Sequence, residues 1–422
     1  MKNFQLILLI IFGFLAVGGL IGFATYKQSG GKDAFVPISM WGSFPKSQLD
    51  LLVKELSNNK TKVVVNYRQI PEDSFDNELI EAIASNTAPD VIILPLDLMF
   101  RYRDKTVLIP YENISAREFQ DTYVEEAELF MLQDGVVAVP FSMDPLVMYW
   151  NRSIFNNEGI SIPPKYWDEF LTLSPQITTK DSFSNITRST VALGEYRNIT
   201  NAKGIISALL IQSGNPVVSL RGSQFMSTLR DSSSINSIRF YTEFANPVKT
   251  VYSWNRSLPK SLDAFLGGDL AVYFGYASEL STIRSRNPNL NFDVAPLPQI
   301  RDSQTKKTYG KIYGIAVMRG TKDVNSTFSS VLTLTGKESI DAWASASNLP
   351  PVRRDLLAIR PTSSALSVFY DSALISGGWV DPNSNLTDAI LLGAIESVTT
   401  GQRSISEAMN RADEEVNRLL LK

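Results

Sequence analysis

The chain carries 43 aspartates and glutamates, 40 lysines and arginines, 15 tyrosines and 6 tryptophans, but no histidine and no cysteine. Without imidazole there is no Ser-His-Asp triad and no His-x-x-x-His zinc site. Without a thiol there is no disulfide, thiolate nucleophile or cysteine-bound metal. A reaction here must rest on carboxylates, lysine, tyrosine or a carboxylate-bound cation. Its simplest form is a glycosidase-like pair of carboxyls, ~5–10 Å apart across one bond. No G-x-x-x-x-G-K-[ST] occurs, and no G-x-G-x-x-G follows a strand, so nucleotide chemistry lacks its motifs. The same residue types serve binding equally well. Carboxylates and amides can hold hydroxyl groups, and aromatic planes can cover apolar faces of a ligand. Arg101 and Arg103, flanking Tyr102, offer an anion site or simply a solvated helix face.

The elements that must position such groups alternate along the chain. A length of 422 residues suggests two or three domains, and hydrophobic and charged fractions of 44% and 20% are those of a folded globular protein. A net charge of −3 gives no basic field for nucleic acid. Short apolar runs alternate with amphipathic stretches, the signature of α/β architecture. Strands are expected at Phe35–Met40, Val63–Tyr67, Asp90–Leu94, Val136–Pro140, Leu146–Trp150, Leu270–Phe274, Phe292–Ala295 and Ile312–Met318. Helical periods are expected at Lys46–Leu56, Glu78–Ser85 and Ser406–Leu421, and in the helix holding Trp167, Phe170 and Leu171. Trp150, Trp167 and Trp343 are expected in the core, and for Trp254, in a loop, lining the second lobe's side of a cleft is the less favoured reading. Seven Asn-x-Ser/Thr sequons occur, at Asn113, Asn151, Asn185, Asn198, Asn255, Asn325 and Asn385, and are read as incidental.

Leu6 to Ala24 contains no charged residue. Nineteen helical residues reach ~28 Å, close to the ~30 Å hydrocarbon core. No Ala-x-Ala pattern follows, so residues 1–26 read as an uncleaved signal anchor, a single transmembrane helix. Residues 27–33 read as a linker, with the remainder on the extracytoplasmic side of the cell membrane.

Several stretches together resemble the bacterial extracellular solute-binding family 1, the maltose-binding-protein-like components of ABC importers. They are APDVIILPLDLMFRYRDKTVLIPY (88–111), DGVVAVPFSMDPLVMYWNRSIF (134–155), IPPKYWDEF (162–170), SLDAFLGGDLAVYFGYASEL (261–280), NLPPVRRDLL (348–357) and TGQRSISEAM (400–409). The resemblance implies a two-lobed periplasmic-binding-protein-like α/β fold with crossover hinge strands. Lobe 1 would be residues 34–141 and 310–350, and lobe 2 residues 142–309 and 351–422. Val139–Met143 and Tyr309–Ile315 would be the hinge. It implies capture of a sugar or oligosaccharide by a monomer that uses no cofactor, catalyses nothing and delivers to permease subunits. A carboxylate glycosidase and a ligand-presenting sensor are the alternatives.

The resemblance places Trp41, Asp97, Asp144, Tyr276 and Trp379 at the ligand. Each has a plainer reading. Asp97 precedes a helix and suits an N-cap, Asp144-Pro145 suits a turn, and Gly377-Gly378 before Trp379 suits another. Leu94-Pro95 departs from the pattern, because some sugar binders carry Trp just before the position of Asp97.

Overall fold

The structure, a computed structural model, describes residues 37–58, 63–222 and 224–421. The expected anchor and linker lie outside the described residues. Among the described residues, no helix is long and apolar enough to cross a membrane.

Strands β1 (Ile38–Gly42), β2 (Val65–Gln69) and β3 (Val91–Pro95) alternate with helices α1 (Lys46–Asn58) and α2 (Glu72–Ala84). β1 pairs in parallel with both β2 and β3. Val91 to Leu94 are all buried, as a central strand covered on both faces requires, which is why the run has no polar alternation. Helix α3 (Leu96–Tyr102) follows β3 directly.

β4 (Val139–Asn151) is a single strand, buried at all 13 positions. At ~3.3 Å per residue it spans about 43 Å. Two strands separated by a turn at Asp144-Pro145 were expected, and the structure corrects this. Residues Val139 to Pro145 pair with β11 (Thr308–Val317), whereas Leu146 onward pairs with β9 (Leu270–Tyr276) and β10 (Phe292–Ala295). Pro145, which has no N–H to donate, falls at the changeover between partners, where the strand tolerates it.

Beyond β9 the sheet continues through β6 (Ile186–Val191) to the two-residue β5 (Thr179–Lys180). The order is β2-β1-β3-β11-β4-β9-β6-β5, with β12 (Ser376–Gly377) alongside β11. The hairpin of β7 (Val218–Arg221) and β8 (Gln224–Ser227) stands apart from this sheet.

Two separate hydrophobic cores sit on this one sheet, making the fold two-lobed. One gathers Leu52, Ile92, Phe141, Ile315 and Trp343. The other gathers Tyr149, Phe170, Phe274 and Met409, with Leu209 of α4 (Ala202–Gln212). β4 contributes to both, Val139, Phe141 and Met143 to the first and Leu146 to Trp150 to the second. Each fully buried large apolar side chain contributes about 2–3 kcal/mol, so each lobe is held by its own interior. Between them run β4, β11 and the chain from Trp343 to Val380, where Leu349, Phe369 and Trp379 join the second core while Val352, Ala373 and Val380 join the first. The register of β4 on β11 shifts between Tyr313 and Gly314, a bulge at Phe141 within the shared strands.

Helices α5 (Lys337–Ser347), α6 (Ser384–Thr399) and α7 (Ile405–Leu420) complete the packing. α7 starts in a capping box, with Ser404 and Glu407 each bonding the other's backbone N–H. Trp150, Trp167 and Trp343 are buried. Trp254 is buried too, with its Nε1 donating to Asn198 Oδ1 at 3.1 Å, so it faces a core.

Candidate functional site

A cavity of about 580 Å³ opens where the two lobes meet along β11. Tyr309, Lys311 and Tyr313, two residues apart on that strand, all line it, because alternate side chains of a strand share one face. From the first lobe come Glu72, opening α2, and Pro95, Leu96 and Asp97, where β3 passes into α3. From the second come Tyr276 at the end of β9, Tyr196, and the first turn of α4 with Asn201 and Lys203. Trp379 and Ser384 close it from the segment joining β12 to α6.

These side chains are held by partners behind them. Tyr149 Oη donates to Tyr276 O at 2.8 Å, and Tyr276 N–H donates to Glu279 Oε1 at 2.9 Å, which fixes the end of β9. Tyr276 passes so close to α4 that a Cβ on Gly204 would lie 2.5 Å from its hydroxyl. Only glycine admits the ring at that point. Trp379 Nε1 donates to Ser207 Oγ at 3.0 Å. Asn201 Nδ2 donates to Tyr273 Oη, to Phe274 O and to Glu279 Oε1, so its amide orientation is set.

Lys203 bonds Asp381 Oδ2 at 2.7 Å and donates to Ser384 O, Ser384 Oγ and Thr387 Oγ1. Its ammonium also lies 5.5 Å from the Trp379 ring centre. Ser384 Oγ in turn donates to Asp97 Oδ2 at 2.7 Å, a direct bond between the lobes. A second contact between lobes is the edge-on packing of Phe100 in α3 against Phe225 in β8, with centroids 5.8 Å apart. On the strand face, Lys311 Nζ bonds Glu72 Oε1 at 3.0 Å and lies 4.8 Å from the Tyr276 ring centre.

Burial decides the charge states. It keeps the phenols of Tyr276, Tyr309 and Tyr313 protonated, far above the usual tyrosine range. Burial also raises the Asp381 carboxyl, against the pull of Lys203. For Lys311 burial works against the charge, but the Glu72 and Asp97 carboxylates outweigh it and hold the amine protonated. The result is a pocket of neutral aromatic planes interleaved with fixed ions, each ion already partnered by protein.

Of the five residues expected at a ligand, Asp97, Tyr276 and Trp379 line this cavity together. Asp97 is not an N-cap. Pro95 holds that position, and Asp97 lies in the first helical turn facing Ser384. Asp144 stands behind the wall, directly opposite Lys311 on the paired strand. It is buried and accepts from Ser278 N–H at 2.9 Å. Burial pushes its carboxyl up to about 6, with the Ser278 bonds and Lys311 pulling back. Trp41 stays outside the cavity lining, half-buried at the end of β1 under the Arg68 guanidinium, 4.6 Å from its ring centre. Arg101 pairs with Asp76 at 2.6 Å and Arg103 covers Phe100, so both act as helix-face residues.

Tyr309, Lys311, Tyr313, Lys203 and Ser384 are lining residues that sequence reasoning missed. The alternation Tyr-Gly-Lys-Ile-Tyr-Gly was a usable signal for the first three. The 178-residue separation of Lys203 from Asp381 left none for the others.

Residues 42–328 match the family described as bacterial extracellular solute-binding protein. The chain belongs to that family. Solved structures resemble this solute-binding protein over nearly its whole length. A cyclo/maltodextrin-binding protein complexed with maltotetraose superposes with a TM-score of 0.74 at 15% identity, covering 92% of this chain and 98% of that one. A cyclic α-maltosyl-1,6-maltose binding protein from Arthrobacter globiformis gives 0.73 at 16%, covering 91% and 99%. At these identities the likeness is one of fold. Among curated proteins, one from Brucella abortus (strain 2308), described no further than as a binding protein, is 24% identical over 108 residues. The match spans 25% of this solute-binding protein and about a quarter, 26%, of that relative's length.

Proposed function

We propose that this protein captures a carbohydrate between its two lobes by hinge closure and passes it to the permease subunits of an ABC importer. The observation that carries the reading is the composition of the cavity wall. Tyr276, Tyr309, Tyr313 and Trp379 offer planes for the C–H faces of a sugar. Asp97, Glu72 and the Asn201 Oδ1 offer acceptors for its hydroxyls, and the Lys311 ammonium, bonded once to Glu72, offers donors. A volume of about 580 Å³ suits a small saccharide. Family membership supports a binding role over a catalytic one, and the neighbour solved with maltotetraose supports the ligand class.

In this reading the lobe built on the first core moves against the lobe built on the second, with β4 and β11 as the hinge, because short crossing strands absorb the rotation while each core stays rigid. Asp97, Tyr276 and Trp379 touch the sugar, and Asp144 acts through Lys311. Trp41 stays a candidate for the rim. The protein acts as a monomer without cofactor, tethered to the cell membrane by residues 1–26 with its lobes on the extracytoplasmic side.

The test is a thermal-shift and small-angle scattering panel over maltose, maltotetraose, mannobiose, tagatose, free amino acids and inorganic phosphate. Stabilisation together with compaction by a saccharide is expected. Stabilisation by phosphate or an amino acid with none by any saccharide would overturn the ligand class. No compaction by any compound that binds would overturn hinge closure.

A further inference from the structure

Glu125 and Glu126 are adjacent on one 3-10 turn, Glu125–Phe130, and have opposite surroundings. The Glu125 side chain is 60% exposed and bonds Lys307 at 2.7 Å. Glu126 is 2% exposed. Its Oε2 accepts from Ser376 Oγ at 2.5 Å, and its Oε1 has no hydrogen-bond partner among the described residues. The carboxyl is wedged between two of the segments that join the lobes. A Cβ on Gly310, in β11, would lie 2.6 Å from Oε2, and one on Gly378, just past β12, would lie 2.7 Å from Oε1. Both positions are glycine, so both backbones close directly onto the acid.

The neighbouring elements supply little charge. The helix Ala116–Thr122 turns Arg117, Glu118 and Asp121 to solvent. α3 commits Asp97 to Ser384 and Arg101 to Asp76. β11 presents the protonated Tyr309, while its Lys311 pairs with Glu72. β12 and Met131–Leu132 bring no ionisable group. On the acid's own turn Glu128 accepts from Gln120. Lys307 is the cation whose field reaches the carboxyl, and it is already bonded to Glu125.

A carboxylate without a cation at contact and with one oxygen unbonded costs far more to bury than a carboxylic acid. We propose that Glu126 is a proton-binding site coupled to the hinge: protonated, it lets the β11 and β12 segments close over it, and ionised, it must reach water, which parts the lobes. The inference rests on the hinge-closure reading above. It deepens that reading by making the closed population, and with it solute affinity, a function of external pH.

The direction follows from the geometry. Burial pushes the acid up to about 7 in this conformation, with Ser376 and Lys307 pulling the other way. In a conformation that hydrates Glu126 the acid returns toward the ordinary carboxylate range. Closure is therefore favoured most at low pH, is lost as pH rises toward about 7, and levels off above that. Within that window the ratio of closed to open molecules falls by up to about tenfold per pH unit.

The chain has no cysteine of its own. Ser47→Cys in α1 and Ser285→Cys in the second lobe, both at exposed positions, therefore give two clean spin labels on the full-length protein. The inter-label distance is measured without solute from about pH 5 to about pH 8. Wild type is expected to shift from short to long separation, and Glu126→Gln to stay short throughout. Ser376→Ala, which removes the one hydrogen bond the Glu126 carboxyl has in the closed conformation, lowers the closed population at every pH and is expected to move the midpoint to lower pH. The proposal fails if wild-type distances ignore pH, if Glu126→Gln follows the wild-type curve, or if Ser376→Ala leaves the midpoint in place. Should Glu126→Gln not fold by circular dichroism, the Ser376→Ala midpoint alone decides. No solute is present, so failure here is separate from failure of the saccharide panel.

Discussion

Replacing Lys203 by methionine keeps the aliphatic stem and deletes one charge from the cavity wall. The ammonium it removes meets Asp381 at 2.7 Å, in a pair whose side chains are 17% and 2% exposed. Deleting one partner of a buried pair typically costs about 3–5 kcal/mol, because the other charge is left in the interior. Here the lower end applies, for two reasons. Asp381 keeps hydrogen bonds from Thr387 Oγ1 at 2.9 Å and Asn383 N–H at 3.0 Å. Burial already raises its pKa, so with Lys203 gone the carboxyl takes up a proton rather than staying charged. About 3 kcal/mol of destabilisation is therefore expected near pH 8.

The pH dependence is the sharper signature. Lys203 is the strongest influence lowering the Asp381 pKa against burial, so its removal raises that pKa further. A carboxyl raised in the folded state loses stability as pH rises. The deficit of Lys203→Met should accordingly be smallest near pH 4.5 and grow toward pH 8. Urea unfolding of the full chain at pH 4.5, 6 and 8 measures it, provided the slope m is unchanged. Adding Asp381→Asn should return most of the loss at pH 8. A deficit under about 1 kcal/mol, or one that does not vary with pH, would refute the account of Lys203 as the partner of a buried carboxylate.

Gly204→Ala gains about 1 kcal/mol of helix propensity but sets a methyl 2.5 Å from the Tyr276 hydroxyl. Little change in melting temperature with at least a tenfold loss of saccharide affinity by calorimetry is expected. Trp379→Phe removes the Nε1 bond to Ser207, worth about 1 kcal/mol, and part of a stacking plane. A several-fold weaker dissociation constant is expected, with a smaller ligand-induced fluorescence change. Asp144→Asn keeps the acceptor for Ser278 N–H while removing a carboxyl that burial pushes up to about 6. Its stability by urea unfolding should match wild type near pH 4 and exceed it by about 1–3 kcal/mol above pH 7.

The legibility of the fold varied with the range of the forces involved. DVIIL reads as a strand covered on both faces because local hydrophobicity alone dictates it, and α7 declares itself through its apolar period and its Ser-x-x-Glu cap. Asp144-Pro145 misled because the turn preference of that dipeptide is local, whereas the strand's change of partners at Pro145 is not. Trp254 shows the same limit. A tryptophan in a loop looks available until Asn198, 56 residues earlier, takes its N–H.

Some properties belong to the sequence alone. The lack of histidine and cysteine removes imidazole and thiolate chemistry whatever the fold. The Tyr-Gly-Lys-Ile-Tyr-Gly alternation commits three side chains to one face wherever that strand lies. Only the tertiary structure decided which charges are matched and which are not. Glu125 and Glu126 are chemically identical neighbours, yet one is solvated beside Lys307 and the other is closed in by Gly310, Ser376 and Gly378. The groups that differentiate them lie about 180 to 250 residues away along the chain. The energy of an ion depends on what surrounds it in space, and no local pattern carries that information.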